Sequence, residues 1–389
     1  MPNLDRIFFE IDDIQKQSEI NSRKKYLVDK YKTLSFEDKE KMAIARIQEF
    51  FKYCKLNKLP DPVISFSGGK DSCVLRHMVR KIKKNTTCII SAELFNPDNA
   101  KIIRDEKNKE IFKAIKTFDE VIKDGYPMIS KEISQKINSV RNCKKLGNWV
   151  KASLGLRKSR KIANKYLHLL DKEFVKYELT HMCCSYIKGA VKHDKRPKFI
   201  GTTIHESQLR RTNWIQRGCN IYDSKTPMSR PISLFTDKDV FQYAKKHKLK
   251  LSEAYNKGWA RTGCMLCGFG LQFECSIRDK LLMEQKKDKN VKVISNRLEL
   301  LKKYYPNVYN NYIWKKEMYK PLIDTYVTII NDKKYMKEYA KRHEEIKEWY
   351  KNKELKIKKI IKQIETQTNS RFTNLEKEKI FTIYGGKNV

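Results

Sequence analysis

At 389 residues, 40% of them hydrophobic and 11% aromatic, the chain can bury a substantial core, and its composition excludes disorder of the whole. Charged residues reach 33%, and 84 Lys and Arg against 46 Asp and Glu leave a formal net charge of +38. No stretch approaches the roughly 18 apolar residues that a membrane-spanning helix needs, which excludes that class of protein.

Taken in chain order, residues 1–58 carry apolar positions at helical spacing, with Ser35 and Asp38 placed as a capping pair. Pro60 and Pro62 break that pattern, and Val63–Phe66 is a short apolar run suited to a buried parallel strand. A glycine turn follows, and Cys73–Ile82 returns to helical spacing. Further strands are expected at Thr87–Ala92 and Lys198–Thr202, with helices at about 104–123, 130–141 and 159–170. This alternation predicts an α/β fold, a doubly wound and mainly parallel sheet with helical N- and C-terminal extensions. From about residue 276 the composition shifts to Lys, Glu, Tyr and Ile; Pro306 and Pro321 divide that extension, and Lys333–Gln363 reads as a charged helix for packing or partner binding. The expected domains are therefore 1–58, 59–275 and 276–389.

The string Ser67-Gly68-Gly69-Lys70-Asp71-Ser72 lies directly between a strand and a helix. Two glycines permit close backbone approach, the helix N-terminus and exposed N–H groups favour an anion, and Ser67, Lys70 and Ser72 add donors and charge. The spacing of a Walker A loop is absent. The string resembles the PP-loop of the adenine nucleotide α-hydrolase superfamily, in which the loop grips the pyrophosphate of ATP while a substrate oxygen attacks the α-phosphorus. By that resemblance Lys70, Asp71 and Ser72 are catalytic, and Ser67 to Ser72 bind the nucleotide. Chemistry of this kind works through positioning and charge neutralisation, so Mg2+ is the expected companion, with Asp71 placed either to help hold it or to cap the helix.

Cys183-Cys184 is followed by Cys264 and Cys267 in a Cys-x-x-Cys spacing. Soft thiolates in two pairs suit zinc or an iron–sulfur centre. The arrangement resembles the cysteines that bind a 4Fe-4S cluster in assimilatory adenylyl-sulfate reductases and in PP-loop sulfur-transfer enzymes of DNA phosphorothioation. A 4Fe-4S cluster is expected ahead of zinc. Cys54, Cys73, Cys88, Cys143 and Cys275 read as buried small residues, and Cys219 as either a packed or a sulfur-handling thiol.

With these landmarks the chain is identified as a member of the phosphoadenosine-phosphosulfate reductase family over about Val63 to Glu274. The segment Gly201 to Ser207, with Arg210 and Arg211, resembles the part that meets nucleotide or sulfate, which assigns Gly201, Glu206 and Arg210 to nucleotide binding. His205, within that segment, is a stronger candidate than His181 or His193. Phe235 to Val240 resembles the family's capped helix. The sequence departs from the reductases at Thr203 and Phe235, and no cysteine follows Cys275, so the thiol expected to attack sulfate sulfur is missing. The intact Lys70-Asp71 pair points to ATP.

Three functions are thus in competition. The first is an ATP pyrophosphatase that adenylylates a substrate for sulfur transfer, with a nucleic acid and a sulfur donor protein as partners. The second is adenylyl- or phosphoadenylyl-sulfate reduction. The third is a nucleotide-binding accessory protein that binds DNA or RNA. The charge of +38 favours a polyanion, but the Lys-, Asn- and Ile-rich composition is also what an AT-rich genome produces. The first residues do not form a signal peptide and the cysteines cluster as ligands, so a cytoplasmic setting without membrane contact is expected.

Overall fold

A computed structural model of the chain describes residues 31, 33–91, 96–125, 127, 131–142, 167–174, 178–256, 261–264, 266, 267, 269, 341 and 344–383. Two compact units emerge. The first comprises Met1–Ala92, Pro97–Lys113 and Ala190–Ala254, and the second Glu93–Asn96, Ala114–Gly189 and Tyr255–Val389.

The first unit is an α/β layer structure with helix α1 (Phe36–Leu56), strand β1 (Val63–Ser65), helix α2 (Lys70–Ile82), strand β2 (Cys88–Ser91), helix α3 (Pro97–Asp105) and strand β3 (Lys109–Phe112). After a 3-10 turn at Ala190–His193 come β4 (Lys198–Ile200) and a helix at Gln208–Arg217. Strands β5 (Asn220–Ile221) and β6 (Met228–Ser229) follow, and a helix at Asp237–Lys246 closes the series. The six strands lie in the order β3-β2-β1-β4-β6-β5. All neighbours are parallel except β5 against β6. The expected doubly wound, mainly parallel sheet is therefore present.

Why these segments fold this way follows from their patterns. Helix α1 buries Phe36, Ala43, Ile47, Phe50 and Cys54, a stripe at steps of seven, four, three and four residues along one face. Its cap is the expected one: the Asp38 N–H donates to Ser35 Oγ at 3.0 Å, and Ser35 Oγ donates to the Asp38 carboxylate at 2.7 Å. The central strands are buried on both faces, with Val63, Ile64, Cys88, Ile89, Ile90 and Phe199 inside, and the Phe50 ring meets Phe199 edge-on at 5.0 Å.

One expected helix is corrected. The stretch 104–123 is not continuous: α3 ends at Asp105, β3 pairs with β2 from Cys88↔Lys109 to Ser91↔Phe112, and a separate helix starts at Phe118. As an edge strand with Glu110 and Ile111 exposed, β3 shows no apolar run, and its partner dictates its conformation. Of the helix expected at 159–170, residues 159–166 lie outside the described residues, and Leu167–Leu170 is a 3-10 turn.

In chain order further α-helices follow α3: α4 (Phe118–Asp124), α5 (Lys131–Arg141), α6 (Cys183–Ile187), α7 (Gln208–Arg217), α8 (Asp237–Lys246), α9 (Lys353–Thr368) and α10 (Asn374–Ile383). Of these, α4, α5, α6, α9 and α10 belong to the second unit. Helix α9 buries Ile357, Ile360, Ile361 and Ile364, so the charged C-terminal sequence carries a packed face. It is tied to α5 by Gln367 Nε2 donating to the Arg141 carbonyl at 2.8 Å. In the same unit Trp349 Nε1 donates to Asp171 Oδ2 at 2.9 Å, satisfying a buried indole. Cys143 and Cys275 lie outside the described residues. No helix among the described residues is long and apolar enough to cross a membrane.

Candidate functional site

Sheet order reverses between β1 and β4, the neighbours from which the chain departs to opposite edges, and ligands of such sheets collect beyond the strand ends at that point. The glycine-rich loop sits there, between β1 and α2. Gly68 adopts φ +69°, and a Cβ on it would stand 3.0 Å from the Asn99 carbonyl oxygen and 3.2 Å from Ile103 Cγ1, so both conformation and space require glycine. Gly69 is the N-cap of α2 and, lacking a side chain, supplies no cap, so the positive end of the helix dipole faces the loop. Asp71 is in the first turn and does not cap the helix.

The loop is held from several sides. The Ser67 N–H lies 3.3 Å from Ser72 Oγ, which itself donates to the Gly69 carbonyl at 2.8 Å. Asn99 Nδ2 donates to the Ser67 carbonyl at 3.3 Å. At the end of β4, a Cβ on Gly201 would meet the backbone of Asp71 and Ser72 at 3.1 to 3.3 Å, so Gly201 packs directly on the start of α2.

Lys70 is 4% exposed, and its ammonium pairs with Asp71 at 3.0 Å and with Asp237 at 2.8 Å. Burial opposes its charge, yet the two carboxylates hold its pKa above the ordinary lysine value. Asp237, at the first position of α8, is a site residue that sequence reasoning placed only within a capped helix. The cap itself is as expected: Asp239 N–H donates to Thr236 Oγ1 at 3.2 Å, and Thr236 N–H donates back to Asp239 Oδ2 at 2.7 Å. Lys39 also pairs with Asp239 at 2.8 Å.

Around the β4 end, Glu206 accepts from the Thr203 N–H at 3.1 Å and forms an ion pair with Arg210. The buried Nε of Arg211 finds no hydrogen-bond partner among the described residues. His205 is exposed, and its pKa is lowered by partial desolvation and by the neighbouring cations Arg211 and Lys39. Cys219 is packed: Trp214 Nε1 donates to its sulfur at 2.9 Å, within a cluster formed with Ile204, Ile215 and Leu234. This geometry is that of the packed alternative for Cys219. Cys54, Cys73 and Cys88 are buried as expected.

The second unit carries all four candidate ligand cysteines. Cys183 and Cys184 open α6, and the Cys267 N–H donates to the Cys264 carbonyl at 3.1 Å, closing a one-turn loop. The four thiols are half-buried, and none of them is in a disulfide. Burial pushes the Cys183 thiol up to about 12, and the neighbouring Cys184 and Cys267 add to the rise, which brings three of the four into one electrostatic neighbourhood. As donors they suit a soft metal or iron–sulfur centre. Among the described residues, however, no group of three or more His, Cys, Asp or Glu side chains is arranged to hold a metal ion. His181, next to this segment, has a buried Nδ1 with no hydrogen-bond partner among the described residues, and His193 is exposed in the first unit.

A protein-family model described as the phosphoadenosine phosphosulfate reductase domain matches residues 61–268, more than half of the chain. Among solved structures, a crystal structure of phosphoadenylyl-sulfate (PAPS) reductase from Candida auris, a phosphate complex, is similar at 14% identity over 64% of this chain and 95% of that one, with a TM-score of 0.33. No curated protein matches the chain.

Proposed function

The chain belongs to the phosphoadenosine phosphosulfate reductase domain family, and from that premise we propose that it is a PP-loop enzyme whose nucleotide is ATP. In this reading the pyrophosphate lies on the loop from Ser67 to Ser72, an oxygen of an acceptor attacks the α-phosphorus, the α–β bond breaks, and pyrophosphate leaves with an adenylylated acceptor behind. The observation that carries it is the loop itself. Gly68 and Gly69 open the backbone at the start of α2, and Lys70 and Asp71 are kept beside them, the charged pair that a triphosphate and its Mg2+ require. Gly201 supports the helix start from β4, and Glu206 with Arg210 would flank the nucleotide.

The proposed acceptor chemistry is sulfur transfer, with a nucleic acid as acceptor and a protein as sulfur donor; the net charge of +38 supports the polyanion. We assign Cys183, Cys184, Cys264 and Cys267 to a 4Fe-4S cluster or, in second place, to zinc. The donor set, four half-buried cysteines in two pairs, supports this assignment. Such a centre would supply structural support or sulfur delivery when bound. Anaerobic purification with a metal count tests it: iron or zinc lost on Cys264→Ser supports the centre, and protein with neither metal refutes it.

Sulfonucleotide reduction is the second reading, favoured by the family match. One assay separates the two: pyrophosphate from ATP, with and without polynucleotide, beside sulfite from adenylyl sulfate and phosphoadenylyl sulfate with thioredoxin present. Pyrophosphate is the expected product. Sulfite without pyrophosphate would establish the reductase, and nucleotide binding without either product would establish an accessory protein.

A further inference from the structure

The cation of the nucleotide loop is not held by the loop alone. Lys70 is almost wholly buried, and its ammonium is gripped by Asp71 from its own helix and by Asp237 from α8, about 170 residues away in sequence. The two partners differ. Asp71 is fixed in the first turn of α2 with a side chain 19% exposed, whereas the Asp237 side chain is 71% exposed and takes no part in the Thr236–Asp239 capping box. Asp237 is therefore the more solvent-exposed of the two carboxylates that hold Lys70, and it lies outside the cap of α8.

Charge decides what this arrangement does to a ligand. Lys70, Asp71 and Asp237 together carry one net negative charge, in the loop whose backbone N–H groups invite an anion. A phosphate oxygen that approaches the ammonium competes with the two carboxylates for its charge. The exposed carboxylate yields at lower cost, because water rehydrates it as it leaves.

We propose that Asp237 is a positioning residue that competes with the nucleotide's phosphate for Lys70, so that its carboxylate sets how readily the loop accepts a polyphosphate. This rests on the reading that the loop binds the phosphates of ATP. It adds a device on a second element, contributed by α8, which tunes that binding.

The test uses the full-length chain, with ATP and inorganic pyrophosphate as probes in EDTA, so that no divalent cation mediates. Asp237→Asn is expected to tighten both probes by about threefold to tenfold, and to leave adenosine binding unchanged. Asp237→Ser, which also suits a helix start, should act in the same direction and guards against a folding artefact of one variant. Simple removal of a repelling charge would tighten binding equally in any background. The same change is therefore made in Lys70→Ala: competition for Lys70 requires the gain there to be at least threefold smaller than in the wild type. Equal gains in the two backgrounds, no gain, or weaker binding overturn the proposal. If the wild type binds neither probe, the nucleotide reading falls with it; if the wild type binds and Asp237→Asn changes nothing, only the role of Asp237 falls.

Discussion

Lys70 is the residue on which the loop's chemistry turns. Its removal would leave Asp71 and Asp237 facing the phosphates without their counter-charge, so the loss exceeds that of one donor. Lys70→Ala is expected to weaken pyrophosphate release from ATP by about 10- to 100-fold, the scale of a charged hydrogen bond at about 1.5–3 kcal/mol. Ser72→Ala removes one neutral hydroxyl whose partners are the Ser67 N–H and the Gly69 carbonyl, and should cost roughly fivefold. Steady-state rates of the two variants, side by side, check the order. Gly68 poses a different question, one of conformation. At φ +69° an alanine costs about 1–2 kcal/mol, and its Cβ would crowd the Asn99 carbonyl. Gly68→Ala should therefore lower the denaturation midpoint as well as nucleotide affinity, whereas Lys70→Ala should act mainly on the nucleotide.

At the scale of elements, α8 is held to α1 through a carboxylate that also caps it. Burial raises the Asp239 pKa, but the Lys39 ammonium and the N–H and hydroxyl of Thr236 outweigh it and hold the carboxyl below its ordinary value of 3.8. A depressed pKa in the folded protein contributes stability that is fully present above the unfolded value, and that stability is lost as pH falls through the folded one. Urea unfolding followed from pH 6 down to pH 2 should show that acid limb, and Asp239→Asn should flatten it while lowering stability at pH 6. Thr236→Ala should cost about 1 kcal/mol at neutral pH through the lost cap. If the acid limb of Asp239→Asn matches that of the wild type, the pair does not carry this dependence.

Across the whole molecule, what the sequence made legible was whatever its local physics dictates. The buried run Val63–Phe66, the glycine turn and the helix after it were readable because one strand, one special dihedral and one amphipathic stripe each leave a local signature. The capped helix at Asp237–Lys246 was readable through the resemblance of Phe235 to Val240, and its capping pair, Thr236 and Asp239, came from the structure. β3 was not, since its conformation comes from pairing with β2, and neither was Asp237 as a partner of Lys70, since that contact joins residues far apart in the chain.

The net charge is the hardest property of the molecule to read, because lysine-rich composition and polyanion binding leave the same trace in a sequence. Salt dependence separates them. Helix α9 buries its isoleucines and shows Lys358 and Lys362 to solvent, with Lys356 half-exposed on the same helix. If that unit meets a nucleic acid backbone through about five phosphates, each contact contributes about −0.9 to the slope of log affinity against log salt on duplex DNA. Affinity should then fall roughly 500-fold between 50 and 200 mM salt. Replacing Lys356, Lys358 and Lys362 by Gln should reduce the slope by about 2 to 3 without changing nucleotide binding at the Lys70 loop. Fluorescence titration with duplex and single-stranded oligonucleotides at four salt concentrations measures both quantities. A slope that the three substitutions leave untouched would move the contact elsewhere, and no binding at 50 mM would assign the charge of +38 to composition alone.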